Sequence, residues 1–149
     1  MPGVNTTLPA PLGHINVHIR DGSAILLHSK PAYTIEETRQ GPYSLLVSLS
    51  ADGKAFGTAF VDDGVSNPLG PIKILSFMSE KGRLQIQPEG SFNIEQRLQD
   101  ITILGVRKPK EVTYQGKLMK TWIYLAAQEK LVLNEIDKDL NVPILFAWN

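Results

Sequence analysis

The chain of 149 residues contains no cysteine. That absence removes disulfides, thiolate catalysis and Cys-ligated zinc together, so a fold of this length must be held by its hydrophobic core. Charge of one sign is also missing: fifteen Lys and Arg balance fifteen Asp and Glu, and they are scattered along the chain. Neither nucleic acid nor an anionic membrane surface is therefore an expected partner. No run of 18 apolar residues is present to cross a bilayer, and Met1-Pro2-Gly3-Val4-Asn5 has neither the charged nor the apolar part of a secretory signal. Internal repeats and low-complexity tracts are absent as well. Long helical periodicity is lacking, which excludes a parallel α/β fold because no crossover helices separate the apolar segments.

What the chain does have is period-two alternation. From His14 to Arg20 the apolar Ile15, Val17 and Ile19 alternate with polar residues, the pattern of a strand with one buried face. Ser23 to Leu27 continues it. Residues 31–42, between Pro31 and Pro42, read as an irregular connector and a domain boundary. Tyr43 to Ser50 and Ala55 to Val61 are then expected as a β-hairpin closed by Asp52-Gly53. Further strands are expected at 72–79, 83–87, 100–106, 111–115, 120–125, 131–134 and 144–148. Only 94–98 and 126–130 have the pattern of a single helical turn. Regular short strands with intervening turns predict an all-β, antiparallel β-sandwich with a partial first sheet packed on or beside it.

Few residues carry a chemical signal. Asp62-Asp63-Gly64 holds the one paired carboxylate in a tight setting, and adjacent side chains on an extended segment point to opposite faces. Its expected role is structural, an Asp accepting from turn amides at the end of the hairpin. His14 and His18 share a strand face but stand about 13 Å apart, too far for one metal, and His28 adds no ligand spacing. No metal or other cofactor is expected. Trp122 and Tyr124, two apart in a strand, share a face suited to a core layer or to stacking on a sugar ring, and they are the residues named for carbohydrate binding. Asn5-Thr6-Thr7 is an N-glycosylation sequon, which names Asn5.

Several segments in order resemble a known family. Leu8-Pro9-Ala10-Pro11-Leu12, with Ile15, Val17, His18 and Arg20, resembles the "L-P-A-P-L-x-x-I-x-V-H-x-R-G-G" segment of family 31 glycoside hydrolases, the α-glucosidases of lysosomal acid and fungal secreted type. Thr34 to Gln40 is similar to that family's "T-T-T-E-S-R-Q", Tyr43 to Leu49 to its "F-S-L-L-V-A-L", Asp62-Asp63-Gly64 to the start of its "D-D-G-E-S", and Ile101 to Val106 to its "V-T-V-L-G-V". Asp21, Leu27 and Val65 depart from the pattern, standing where the family has Gly, Pro and Glu.

The resemblance implies residues 1–42 as the end of a proximal C-terminal β-domain plus connector, and 43–149 as a distal β-sandwich. It also implies a parent enzyme whose carboxylate pair lies in a barrel. Such a barrel takes about 250 residues, and the family's "W-x-D-M-N-E" motif is absent from this sequence. The expected function is accordingly non-catalytic: structural support or an interaction module. A lectin-like carbohydrate-binding protein is the alternative, and an active α-glucosidase a second one, only as part of a longer chain. Expected partners are glycans or a protein, or a second copy paired through the incomplete first sheet. The expected compartment, by resemblance, is extracellular or vacuolar/lysosomal.

Overall fold

The computed structural model describes residue 3 and residues 5–149. In chain order its elements are β1 (Ser23–His28), α1 (Ile35–Gln40), β2 (Tyr43–Ser48), β3 (Ala55–Val61), β4 (Lys73–Glu80), β5 (Arg83–Glu89), β6 (Leu98–Leu104), β7 (Val112–Tyr114), β8 (Lys117–Leu118), β9 (Trp122–Leu125), β10 (Lys130–Leu133) and β11 (Ile144–Trp148). A single 3₁₀ turn, Ala126–Gln128, follows β9. The fold is all-β, and the strands alternate as their sequences do: Leu75 and Phe77 of β4, Leu84 and Ile86 of β5, Ile101 and Ile103 of β6 are fully buried.

All eleven strands join one sheet in the order β8-β7-β11-β5-β4-β3-β1-β2-β6-β10-β9. Buried side chains from β2, β4, β5, β6, β10 and β11 nevertheless form one core cluster. Strands so far apart in a flat sheet cannot share a core, so the sheet curls over and its two halves face each other as a sandwich does. The weakest seam lies between β1 and β3, joined by one parallel bridge, Ser23 to Phe56. Most pairings are antiparallel, but β2 and β6 run parallel along six residues, which makes the sheet mixed.

Five expectations require correction. Ser50 and Lys54 do close a tight turn after β2, with Ser50 N donating to Lys54 O at 2.9 Å, yet the two arms do not pair. β1 is inserted between them: Gly22 N donates to Ser48 O at 2.9 Å on one side and Phe56 N donates to Gly22 O at 3.0 Å on the other. The two arms therefore form no hairpin, because the partner of both comes from earlier in the chain. Instead of building a separate first sheet, the leading region contributes β1, the one strand among its described residues, to the middle of this one.

The alternating stretch His14–Arg20 forms no strand, and Ile15 and Val17 are 89% and 85% exposed. Alternation makes a strand only where a free edge lies alongside, and both edges of β1 are already taken. Residues 35–40, read as irregular, form α1. Thr34 is its N-cap, accepting from Glu37 N at 3.2 Å, while the Glu37 carboxylate accepts from Tyr33 N at 3.3 Å, and Glu36 and Glu37 sit in the first turn. This is a variant of the capping box in which Glu37 reaches the amide one residue before the cap, and its sequence signature is Thr34-x-x-Glu37. Residues 94–98, by contrast, form no helical turn; Ile94 is buried and Leu98 starts β6.

Candidate functional site

The site begins with Arg39, in the last turn of α1. Its Nη2 donates to the backbone oxygen of Asp62 at 2.8 Å and to Asp62 Oδ1 at 3.4 Å, tying the connector to the end of β3. The same Oδ1 accepts from Gly64 N at 2.9 Å. Gly64 has φ +71°, a backbone conformation that calls for glycine, and a Cβ there would fall where the guanidinium sits and would push Arg39 aside. Asp63 turns the other way. Its Oδ1 accepts from Val65 N and Ser66 N, each at 3.0 Å, and its Oδ2 accepts from the Ser66 hydroxyl. That hydroxyl and the two amides hold the Asp63 carboxyl down at about 2. The two adjacent carboxylates thus serve two different local networks.

Around this clasp lies a groove of about 510 Å³, lined by Glu36, Arg39, Tyr43, Asp62, Phe92 and Gln96 among others. A neighbouring hollow of about 400 Å³ shares Arg39, Tyr43 and Asp62 and extends to His28 and Phe60. Tyr43 forms part of the wall common to both. Its ring lies 4.8 Å from the His28 ring, and burial pushes its hydroxyl above the ordinary range, opposed by the nearby Arg39 charge. His28 Nδ1 is buried without a hydrogen-bond partner. Opposite, the 92–96 segment is fixed by backbone and side chain: Phe92 N donates to Ile72 O at 3.0 Å, and Asn141 bridges both backbone groups of Ile94 at 2.9 and 2.7 Å.

The other named residues lie elsewhere. Trp122 and Tyr124 are half-buried against the core, Tyr124 Oη donates to Val106 O at 2.8 Å, and the exposed side of β9 carries Ile123 and Leu125 instead. Asn5 is exposed, in irregular chain. Among the described residues, no group of three or more His, Cys, Asp or Glu side chains stands close enough to hold a metal ion. Sequence reasoning named Asp62, Asp63 and Gly64 but not the residues that complete the groove, namely Arg39, Tyr43, Phe92 and Gln96. For Arg39 one signal existed: its segment and Asp62-Asp63-Gly64 belong to the same run of resembling motifs.

Fold and groove define an all-β sandwich module whose connector helix is clasped onto a strand end. No protein-family model matches the chain. It is 42% identical over 148 residues to an α-glucosidase of Schizosaccharomyces pombe, covering 97% of this chain and 15% of that protein. With glucoamylase 1 of Schwanniomyces occidentalis it shares 44% identity over 115 residues, 76% of this chain and 12% of that one. Among solved structures, the α subunit of glucosidase II superposes on 88% of the chain with a TM-score of 0.72 at 18% identity, covering 17% of that subunit. A family 31 dextranase of Flavobacterium johnsoniae superposes on 88% with a TM-score of 0.63 at 14% identity, covering 19% of that chain.

These last two likenesses establish the fold. Together with the sequence relatives they make the chain a glycoside hydrolase family 31 sequence, corresponding to the β-rich C-terminal region of α-glucosidases of that family. It spans between 12% and 15% of the length of these curated relatives.

Proposed function

We propose that the chain is a non-catalytic packing module, supporting the remainder of a family 31 glucosidase by covering and being covered by it. One observation carries this reading. The outer face of the central strands is apolar and open, with Phe56 61%, Phe60 55%, Met78 52%, Ile25 43% and Leu27 42% exposed. Phe56 pairs with Met78 across β3 and β4, and Ser23 with Phe56 across the seam, so these side chains form one patch at the middle of the sheet and not a scatter of single residues. Contiguous apolar surface of this kind marks an interface. The occupant we assign is polypeptide of the parent protein beyond the matched portion of its length.

The carboxylates support the same reading. Glycoside hydrolysis uses two carboxyl groups about 5 to 9.5 Å apart, flanking the scissile bond. Asp62 and Asp63 are instead engaged in holding turn amides, a hydroxyl and Arg39. The compartment follows from the parent enzyme, extracellular or vacuolar/lysosomal, where an exposed Asn5 sequon is open to glycosylation.

Two measurements test the reading. The purified chain is expected to leave a chromogenic α-glucoside unhydrolysed, and to raise the fluorescence of an apolar-surface dye by an amount that falls sharply in Phe56→Ser/Phe60→Ser. Turnover above the blank, or dye binding indifferent to both substitutions, would overturn it.

A further inference from the structure

We infer that the free edge of β9 is a pairing surface for a second copy of this chain, joined antiparallel about a twofold axis. The sheet order leaves two edges, β8 and β9. β8 is guarded: it is two residues long, and Lys117 is one of them. Short length and an edge lysine keep further strands from adding to a sheet. β9 has no such guard. Its four residues, Trp122-Ile123-Tyr124-Leu125, are uncharged and free of proline, and three of them are aromatic or β-branched strand formers. Among the described residues, β10 is the one neighbour that hydrogen-bonds its backbone, and on its outer side Ile123 and Leu125 are 52% and 41% exposed. This edge is distinct from the patch on the central strands, and the inference stands whether or not that patch is covered.

Self-complementarity selects the occupant. Cross-strand partners carry an outer-face row from Leu46 through Thr102 and Val132 to Ile123, where it stops at the open edge. Pairing two β9 strands antiparallel about Tyr124 continues the row: Ile123 of each copy lies opposite the partner's Leu125, and both cores stay on one side of the joined sheet. Charge fixes the direction. Lys120 precedes β9 and Glu129 follows its 3₁₀ turn; both are exposed, and neither has an ion pair among the described residues. Antiparallel pairing brings each Lys120 toward the partner's Glu129, whereas parallel pairing would set lysine against lysine; Lys130 is set back on β10. Because the same edge is consumed on both copies and β8 is guarded, association closes at two. Four residues a side fall short of the roughly 1,000 Å² of a stable interface, so the dimer is weak and reversible.

Sedimentation equilibrium of the full chain over a series of concentrations tests this. The average mass is expected to rise from that of one chain toward that of two. Ile123→Lys, at an exposed position, is expected to abolish the rise with far-UV circular dichroism unchanged, and Leu118→Lys on the other edge to leave it intact. Lys120→Glu is expected to weaken association about threefold, and Lys120→Glu/Glu129→Lys to restore it, a rescue that a change of fold would not produce. A mass that stays at one chain or climbs past two, a rise that survives Ile123→Lys, a rise lost in Phe56→Ser/Phe60→Ser, or a charge exchange without rescue would each overturn the proposal.

Discussion

Arg39 reaches across 23 positions of sequence to bind both the backbone oxygen and the carboxylate of Asp62, and its guanidinium lies where residue 64 would carry a Cβ. The contact is half-exposed, so its electrostatic part is small and its value lies in geometry. Gly64→Ala is expected to displace the guanidinium and to strain a backbone at φ +71°, costing about 2 kcal/mol. Because the same alanine removes the Arg39 bonds, Arg39→Ala made on top of it should cost almost nothing more. A double-mutant cycle by urea denaturation, with a coupling of about 1 kcal/mol, checks this. Strict additivity would mean that the two residues do not meet.

A second close approach occurs at the seam of the sheet. The Ala24 carbonyl oxygen stands against Gly57, and a Cβ at position 57 would overlap it. Backbone cannot step aside as a side-chain tip can. Gly57→Ala is therefore expected to cost about 3 kcal/mol. Gly53→Ala serves as the comparison, since nothing stands within 4 Å of a Cβ there and only its φ of +74° opposes the change. Equal losses at the two positions would contradict the seam geometry.

Acid should weaken the turn that follows β3. Asp63 has its folded-state pKa depressed to about 2 by the Ser66 hydroxyl and the Ser66 and Val65 amides. A depressed carboxyl stabilises the fold fully above its ordinary value of 3.8, and the contribution is lost as pH falls from there through about 2. Asp63→Asn keeps an acceptor but cannot ionise. Thermal melts over this window should thus fall less steeply for the variant, Asp52 and Asp139, also depressed, retaining part of the slope. A carbon-detected titration of Asp63 with its midpoint near 4 would contradict the hydrogen bonding.

The two faces of the sheet should answer differently to truncation. Phe77, fully buried, should cost about 4 kcal/mol as Phe77→Ala, the loss combining transfer and cavity. Phe56, 61% exposed and adjacent to β4, should cost about 1 kcal/mol or less as Phe56→Ala. Denaturant midpoints compare them directly, and a larger loss at Phe56 would reverse the assignment of inner and outer faces.

Strand positions were legible because half-buried strands impose a period of two, and β4, β5, β6, β10 and β11 fall close to where alternation places them. Pairing was not legible. Alternation at His14–Arg20 equals that in β2, but it does not show whether an edge lies free alongside, and both edges of the next strand, β1, are taken. The turn at Ser50–Lys54 satisfied hairpin rules locally while a more distant strand, β1, took the space between its arms. α1 was visible in Thr34-x-x-Glu37 yet short enough to be passed over between two prolines. Of the groove, Asp62, Asp63 and Gly64 were readable from their turn chemistry. Arg39, Tyr43, Phe92 and Gln96 come together only through the sheet order, which local spacing does not encode. Period two also placed Trp122 and Tyr124 on a common side, but which side meets the core depends on packing and not on spacing.

The position of β1 governs the order in which the chain can assemble. Strands β2 and β3 cannot zip together from their turn, the quick local event for an ordinary hairpin; they must stay apart until β1 has entered. The parallel neighbour of β2, β6, likewise pairs with it across about 55 positions of sequence, so closure entropy is spent before contacts repay it. Slow folding should follow, with residues 22–28 as the keystone, synthesised before both flanking strands and already waiting when they emerge.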